Sequence, residues 1–317
     1  MSKQIIPLFF SSDDNYAPYM ATTINSLIQN ASKDYEYNIH ILYANLSEEY
    51  MNRLKKLAKP GFNIIFNPMN EKMAEMTKNQ DGKMMEEYYT LTVYFRLFIP
   101  SMFPEYDRGI YLDGDIVVEG DISELYNTDL KGNYIGACID YSVRPIPQFV
   151  DYIEKAVGVK ANTYVNSGVL LMDMKTLREK NFDKHFLHLL TTYKFDHVDP
   201  DQAYINCMLY NKIFFLDGTW NCMSLIPNNL KNPKLIHFNM FGKPWKYDNI
   251  QYDANFWHYA ETSGFIEEIK SYKINYPDSK REVANKYAAG MIRRAGEIAV
   301  NGKRFSDVIN AGKEPRI

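Results

Sequence analysis

The sequence predicts an α/β fold, a sheet with helices packed on both faces. Three observations carry that expectation. Apolar runs alternate with helical repeats through residues 5–66. Polar clusters recur where apolar runs end. One of these runs, Arg108-Gly-Ile-Tyr-Leu112, closes on a carboxylate pair, Asp113-Gly-Asp115, and Ile116-Val-Val118 follows.

The elements read in order as follows. Residues 5–10 form an apolar strand that ends in Ser11-Ser-Asp-Asp-Asn-Tyr16. Residues 17–29 repeat Met20, Ile24, Leu27 and Ile28 at helical spacing. Residues 38–44 make a second strand, and Ser47-Glu-Glu-Tyr50 starts a helix with Leu54 and Leu57 on its apolar face. Residues 62–66 make a third strand. This β-α-β-α-β order predicts a parallel sheet. Residues 91–98 read as a buried helix ended by Pro100, and residues 108–112 as a fourth strand. Strands are expected at 133–140, 165–173, 213–216 and 234–238, with helices at 177–193 and 201–209. Composition shifts near residue 266, so residues 1–265 are expected to form the main domain and 266–317 a helical extension. Within it, 282–300 is rich in helix formers and the last dozen residues look loose.

Composition narrows the function. The chain has 317 residues, 46% of them hydrophobic, enough for one large α/β domain and too apolar for wholesale disorder. A net charge of -3 argues against a nucleic-acid partner, which needs a basic surplus. Cys138, Cys207 and Cys222 have no metal-ligand spacing, which fits a reducing compartment. The N-terminal residues lack a signal-peptide apolar core, and no apolar run is long enough to span a bilayer. Tyrosine and phenylalanine are abundant, 25 and 18 residues. Tyrosine suits carbohydrate faces, although ordinary packing explains most of these equally well.

Asp113 and Asp115 are spaced i, i+2, so in extended chain they project from one face. Two such carboxylates repel unless a cation neutralises them, and oxygen ligands favour Mg²⁺ or Mn²⁺. Asp-Gly-Asp is also good turn chemistry. Its neighbours count here: Ser11–Tyr16, Asp140, Asn166–Gly168 and His237–Trp245 are polar clusters that also fall at strand ends. Open α/β sheets bind ligands beyond the carboxyl ends of strands. Convergence there argues for one site.

Seven segments, in this order, resemble glycosyltransferase family 8, the glycogenin-like and bacterial lipopolysaccharide galactosyl- or glucosyltransferase group. They are Ser12-Asp-Asp-Asn-Tyr16, Thr92-Val-Tyr-Phe-Arg96-Leu97, Tyr111-Leu-Asp-Gly-Asp115, Gly136-Ala-Cys-Ile-Asp140, Val165-Asn-Ser-Gly-Val-Leu-Leu171, Asp199-Pro-Asp-Gln202 and His237-Phe…Lys243-Pro-Trp245. The likeness covers roughly residues 4–260. It implies a GT-A fold, with a Rossmann-like mixed central sheet flanked by helices and a helical C-terminal tail. It also implies a UDP-glucose or UDP-galactose donor, a glycan or glycolipid acceptor, Mn²⁺ with Mg²⁺ as a substitute, and retention at the anomeric carbon. Cell-surface polysaccharide biosynthesis is the implied setting.

The resemblance also implies roles. Asp113 and Asp115, with Gly114 between them, and His237 would hold the metal; a lone His after a strand also reads as a hydrogen-bonded structural residue. Lys243 would meet the diphosphate, with Gly242 offering backbone beside it; an ordinary solvated lysine is the alternative. Ser11, Ser12, Asp13 and Asn15 would meet uracil and ribose, although Asp13 and Asn15 also suit helix capping. Arg96, inside an apolar helix, needs a partner, which would be the sugar or the acidic cluster. Asp140 and Asn166 would hold the hexose hydroxyls, although Asn166-Ser-Gly168 also fits a turn or bulge. Asp201 and Gln202 would be catalytic, in front-face attack; Asp201 also reads as an N-cap.

The family usually carries glycine three residues after the histidine, and Met240 stands there. The stretches 67–89 and 221–232, expected to face the acceptor, match no usable pattern. Two rivals remain. Asp113-Gly-Asp-Ile-Val117 fits a haloacid-dehalogenase-type phosphatase, but that motif belongs on a first strand and three precede it here. A non-catalytic UDP-sugar or glycan-binding partner is the other. Arg281, Lys286, Arg293, Arg294, Lys303 and Arg304 make the tail basic. Related transferases use such tails at membranes, but apart from Phe305 this one lacks the aromatic anchors. A solvated helix or a homo-oligomer contact is expected, in a cytoplasmic protein with at most peripheral membrane contact.

Overall fold

A computed structural model describes residues 3–69, 91–225 and 230–317. Residues 70–90 and 226–229, which hold most of the first expected acceptor-facing stretch and part of the second, lie outside the described residues.

Ten strands are described: β1 (Ile5–Ser11), β2 (Glu36–Tyr43), β3 (Phe62–Pro68), β4 (Arg108–Leu112), β5 (Ile116–Val118), β6 (Ile135–Ala137), β7 (Val169–Asp173), β8 (Ile213–Phe215), β9 (Cys222–Met223) and β10 (Leu235–His237). Seven form the main sheet, in the order β3-β2-β1-β4-β7-β6-β8. β1, β2, β3 and β4 run parallel, β7 runs antiparallel to both β4 and β6, and β8 is parallel to β6. The sheet is therefore mixed, as the resemblance implied, and the alternation of elements alone missed the reversed strand. A strand buried on both faces reads as a plain apolar run in either direction.

Both faces are packed. Phe9 and Tyr111 point into one core cluster, while Leu8, Phe10, Ile110 and Leu112 point into the other. This is the two-residue alternation of β1 and β4.

Chain direction after β4 positions the site. The carboxylate pair leaves β4, and the chain enters β5, part of a second sheet of order β5-β10-β9. That small sheet was not foreseen. β10 pairs antiparallel with β5 and sets His237 opposite Ile116, the residue after Asp115. The Phe238 amide then donates to the Asp115 carbonyl at 2.9 Å. Asp115 and His237, far apart in the sequence, thereby become neighbours.

Several expected elements are shorter or broken. Leu91–Leu97 is a 3₁₀ helix, and Pro100 falls in the first turn of a separate short helix, Ile99–Met102, rather than ending one. Proline is tolerated there because a first-turn N–H has no intrahelical acceptor. The helix expected at 177–193 divides into Met174–Glu179 and Phe182–Tyr193, because Asn181 turns left-handed at φ 52°. The strand expected from 165 starts at Val169, since Asn166 and Ser167 turn out to line the site.

The C-terminal residues are not loose. The helix Asp278–Asn301 packs on the helix Pro147–Asp151 and the π-helical turn Tyr152–Val157. Met291, Ala295 and Ile298 are buried in the first core cluster. Phe305 stacks on Phe195 at 3.9 Å, and the Ile317 amide donates to the Met208 carbonyl at 3.0 Å. Polar composition hid this docking, because a few apolar residues do the anchoring. Among the described residues no helix is long and apolar enough to cross a membrane.

Candidate active site

A cavity of about 750 Å³ opens at the C-terminal ends of β1 and β4. Its wall includes Ser11, Ser12, Asp13, Asn15, Arg96, Asp113, Gly114, Asp115, Asp140, Asn166, Asp201, Gln202, His237 and Lys243. Gly242 lies behind that wall. A Cβ there would come 2.2 Å from the Ser224 hydroxyl, so the loop packs only with glycine at this point.

Three ligand atoms converge at the β4 end. Candidate donor atoms of Asp113, Asp115 and His237 all lie within 4.8 Å of one another. His237 Nε2 is 3.2 Å from Asp115 Oδ1 and 3.7 Å from Asp113 Oδ2. Its other nitrogen, Nδ1, lies 3.0 Å from the Asn221 amide oxygen. That oxygen can only accept, so Nδ1 carries the proton and Nε2 turns its lone pair to the carboxylates. Asp115 Oδ1 is buried without a hydrogen-bond donor. Three electron-rich atoms facing each other make a set that could hold a divalent cation. Gly168 makes room for the cluster: a Cβ there would fall 2.4 Å from the His237 ring and 2.6 Å from Asp113 Oδ2.

Both carboxylates are also tied to buried cations. Arg96, only 5% exposed, donates to Asp113 at 2.9 Å and reaches Asp201 at 3.2 Å. Its guanidinium sits over the Tyr111 ring, whose hydroxyl donates to Asp113 at 2.9 Å. Lys243, 4% exposed, pairs with Asp115 and faces the Trp245 ring at 5.4 Å. It is no solvated surface lysine. Burial alone would favour its neutral form, but Asp115 reverses this and holds the ammonium charged. Burial likewise disfavours the Asp115 carboxylate, but the positive charge of Lys243 leads the effects that push its pKa down.

Beyond the carboxylates lies an amide network. Gln202 Nε2 donates to Asp140 Oδ2 at 3.0 Å, and Asn166 Nδ2 donates to the same oxygen at 3.3 Å. The Ser167 amide donates to Gln202 Oε1 at 3.1 Å. Asn221 Nδ2 donates to Asn166 Oδ1 at 3.0 Å, so one chain of hydrogen bonds joins His237 to Gln202. Asp201 sits inside the helix Pro200–Met208, whose N-cap is Asp199. Burial raises the Asp201 pKa and Arg96 lowers it in part. Asp13 is not the helix cap: Tyr16 holds the N-cap position of the helix Ala17–Asn30, without a side-chain cap, while the Asp13 carboxylate accepts from the Tyr16 amide at 3.0 Å in the preceding turn and lines the cavity.

Sequence reasoning missed Asn221, Tyr111 and Asp199. Asp199 accepts from Tyr152 at 2.7 Å and from Tyr164. Burial pushes its pKa up to about 7, against the pull of the two hydroxyls. Asn221 lies in a stretch with no usable pattern, and no local signal could have found it.

The profile of glycosyl transferase family 8 matches residues 7–249. A Haemophilus influenzae protein is 26% identical over 260 residues, covering 80% of this chain and 74% of that one. The lipopolysaccharide 1,2-glucosyltransferase of Escherichia coli K12 is 24% identical over 278 residues, 79% of this chain and 77% of that one. The solved galactosyltransferase LgtC, in complex with donor and acceptor sugar analogs, superposes with a TM-score of 0.67 at 25% identity, over 81% of this chain and 96% of its own. A second LgtC structure, of an active-site variant in which glutamine becomes glutamate, superposes equally well, with a TM-score of 0.67 at 25% identity. The fold is of the GT-A type.

Proposed function

The chain belongs to glycosyl transferase family 8, and on that premise we propose that it moves glucose or galactose from a UDP-sugar to a hydroxyl of a glycan or glycolipid acceptor. The observation that carries this reading is the junction of two halves in one cavity. Asp113, Asp115, His237 and Lys243 gather at one part, and the Asp140–Asn166–Gln202 network stands beside them.

Asp113, Asp115 and His237 would hold the metal, Mn²⁺ by preference. Bound there, the ion supplies Lewis-acid stabilisation to the leaving diphosphate. Lys243 adds a fixed positive charge in a water-poor setting, where it acts more strongly than in solvent. Ser11, Ser12, Asp13 and Asn15 bind the nucleoside. Asp140 and Asn166 orient the hexose. Arg96 keeps Asp113 and Asp201 from repelling each other.

Retention calls either for a nucleophile on the far face or for attack on the face the diphosphate leaves. Gln202 offers only an amide oxygen, and that oxygen already accepts from Ser167 and Asn166. It is a poor nucleophile. Front-face attack fits better. The acceptor oxygen bonds to the anomeric carbon as the bond to the diphosphate oxygen breaks, and the acceptor proton passes to that phosphate oxygen. Gln202 and Asp201 stabilise positive charge on the sugar ring. LgtC carries a glutamine in its active site, which supports the assignment. We place the reaction in the cytoplasm, with at most peripheral membrane contact; the tail's Arg294 and Arg304 are paired with Asp196 and Asp307.

A screen of nucleotide sugars for hydrolysis tests this. UDP-glucose or UDP-galactose should turn over with Mn²⁺, more slowly with Mg²⁺ and not in excess EDTA. The transfer product should be α-linked by NMR. Turnover of only GDP- or CMP-sugars would reject the donor class. Tight UDP binding with no turnover of any sugar would mark a binding partner instead.

A further inference from the structure

Among the described strands, β5 has a sheet neighbour on one side only, in the order β5-β10-β9. On that side the Asp115 carbonyl accepts from the Phe238 amide, and the Glu119 amide donates to the Lys234 carbonyl, each at 2.9 Å. On the other side a stripe of the helix Ala17–Asn30 does the work of a strand. The Ile116 amide donates to Thr23 Oγ1 at 3.2 Å, and Thr23 Oγ1 donates to the Ile116 carbonyl at 2.6 Å. The Val118 amide donates to Ser26 Oγ at 2.9 Å, and Asn30 Nδ2 donates to the Val118 carbonyl at 2.9 Å. Thr23, Ser26 and Asn30 follow one another at helical spacing, so they share a face. Without them the strand edge would bury unpaired backbone groups.

Thr23 is the member of that stripe that meets the metal loop. It is fully buried, and its hydroxyl also lies 3.1 Å from the Gly114 carbonyl. It therefore touches backbone on both sides of Asp115. A hydroxyl has one proton and two lone pairs. The Ile116 amide fills one lone pair, and the proton goes to the Ile116 carbonyl, the nearer of the two loop carbonyls. A helical threonine otherwise turns its hydroxyl back to the carbonyl one turn earlier. Here that carbonyl, of Tyr19, is the more distant contact at 3.4 Å. Met20 closes the same gap: a Cβ on Gly114 would come 3.2 Å from the Met20 Cβ. Ile116 is also the register partner of His237. One residue's backbone thus links the carboxylate pair to the histidine, and Thr23 holds it from behind.

We propose that Thr23 is a positioning residue for the metal site. Its hydroxyl fixes the backbone around Asp115, which sets the ligand atoms of Asp113, Asp115 and His237 at coordinating separation before an ion arrives. Metal sites accept only about 0.2 Å of error in ligand distance. A loop slackened on the helix side loses affinity with every ligand still present. This inference rests on the metal reading of the cluster.

The test is Mn²⁺ affinity by calorimetry, with a thermal melt, for the full chain and three variants. Thr23→Val keeps the branched shape and removes the hydroxyl. It should bind Mn²⁺ about tenfold more weakly. Thr23→Ser keeps the hydroxyl and should recover most of that affinity. Ser26→Ala strips the Val118 amide, farther along β5 from the ligands. It should melt about 2–6 °C below the wild type, as Thr23→Val does, yet bind Mn²⁺ as the wild type does. Wild-type Mn²⁺ affinity in Thr23→Val overturns the proposal. So does an equal loss in Ser26→Ala, which would mark general softening of the strand, or an equal loss in Thr23→Ser. If Thr23→Val does not fold, Thr23→Ala answers in its place, since it removes the hydroxyl without pressing a methyl on the Ile116 carbonyl. If the wild type binds Mn²⁺ and the hydroxyl-free variant binds it equally, only the role of Thr23 falls. If the wild type binds no Mn²⁺, the metal reading falls and takes Thr23 with it.

Discussion

The metal end and the apolar wall of one cavity are built by different rules. At the metal end, polar groups are matched pairwise: Asp113 with Arg96 and Asp115 with Lys243 by charge, and His237 with Asn221 by a hydrogen bond. The ligands sit where strands end, and the small sheet closes the gap between Asp115 and His237. At the apolar wall no short motif exists. Val143, Ile146, Phe149, Met240, Met291 and Ile292 arrive from three segments, one of them the C-terminal helix. The contrast is between chemistry that needs particular residue types and packing that needs only apolar volume.

The first way to break the comparison is Asp115→Ala. This removes a proposed metal ligand and strands Lys243, an ammonium with 4% exposure. Leaving a buried charge unpaired costs about 3–5 kcal/mol, and loss of a ligand should lower turnover by at least about 10³-fold. Calorimetric Mn²⁺ titration and a thermal melt read the two effects separately. Intact Mn²⁺ affinity in this variant would remove Asp115 from the site. Asp115→Asn, which keeps the shape, should lose Mn²⁺ binding with a smaller fall in Tm.

Gln202→Ala comes next, because it cuts the amide network without touching a charge pair. Lost transition-state stabilisation appears in kcat, here about 10²-fold, with little change in KM for the donor. A change in KM alone would make Gln202 a donor-binding residue rather than a catalytic one.

The difference between the two ends also sets what could be read beforehand. Asp113 and Asp115 stood out by their spacing at a strand end, whereas His237 and Lys243 were singled out through the family resemblance; the structure brings all four to one cavity. Arg96 was legible as a buried charge in need of a partner, expected to be the sugar or the acidic cluster, and the structure pairs it with Asp113 and Asp201. The reversed direction of β7, the break at Asn181 and the role of Pro100 were not legible. Each depends on a connection or a backbone angle that apolar spacing does not encode. Met291 and Ile292 were hidden differently: their helix reads as basic and solvated, and only docking reveals which face is buried.

Asp199 sharpens the comparison through pH. Its carboxyl is held by Tyr152 and Tyr164, with Asp201 and Asp140 as the neighbouring carboxylates. In the folded protein it keeps its proton up to about pH 7, whereas an ordinary Asp releases it near 3.8. Between those values the folded state binds the extra proton, so stability falls as pH rises. The slope is on the order of 1 kcal/mol per pH unit, softened because one edge of Asp199 faces the cavity. Asp199→Asn should flatten stability between pH 4 and 7. Denaturant melts across that range decide it, and an unchanged slope would mean that Asp199 is ionised throughout.

The smallest expected effect tests whether the two ends of the polar site are one structure. Asn221 holds His237 through Nδ1 and reaches Asn166 through its own amide, so it links the metal cluster to the residues proposed to orient the hexose. It contacts neither Asp113 nor Asp115 in the hydrogen bonds described. Asn221→Ala leaves all three ligands in place but frees the imidazole to rotate or change tautomer. Partners of this kind are typically worth about 10–100-fold in metal affinity, and the lower end is expected because Asp115 already confines the ring on its other side. Mn²⁺ affinity by calorimetry should drop about tenfold. Asn221→Asp, which can still accept from Nδ1, should recover most of it. If both variants bind Mn²⁺ as the wild type does, His237 is held by packing alone, and the hydrogen-bond chain from the metal cluster to Gln202 carries no coupling.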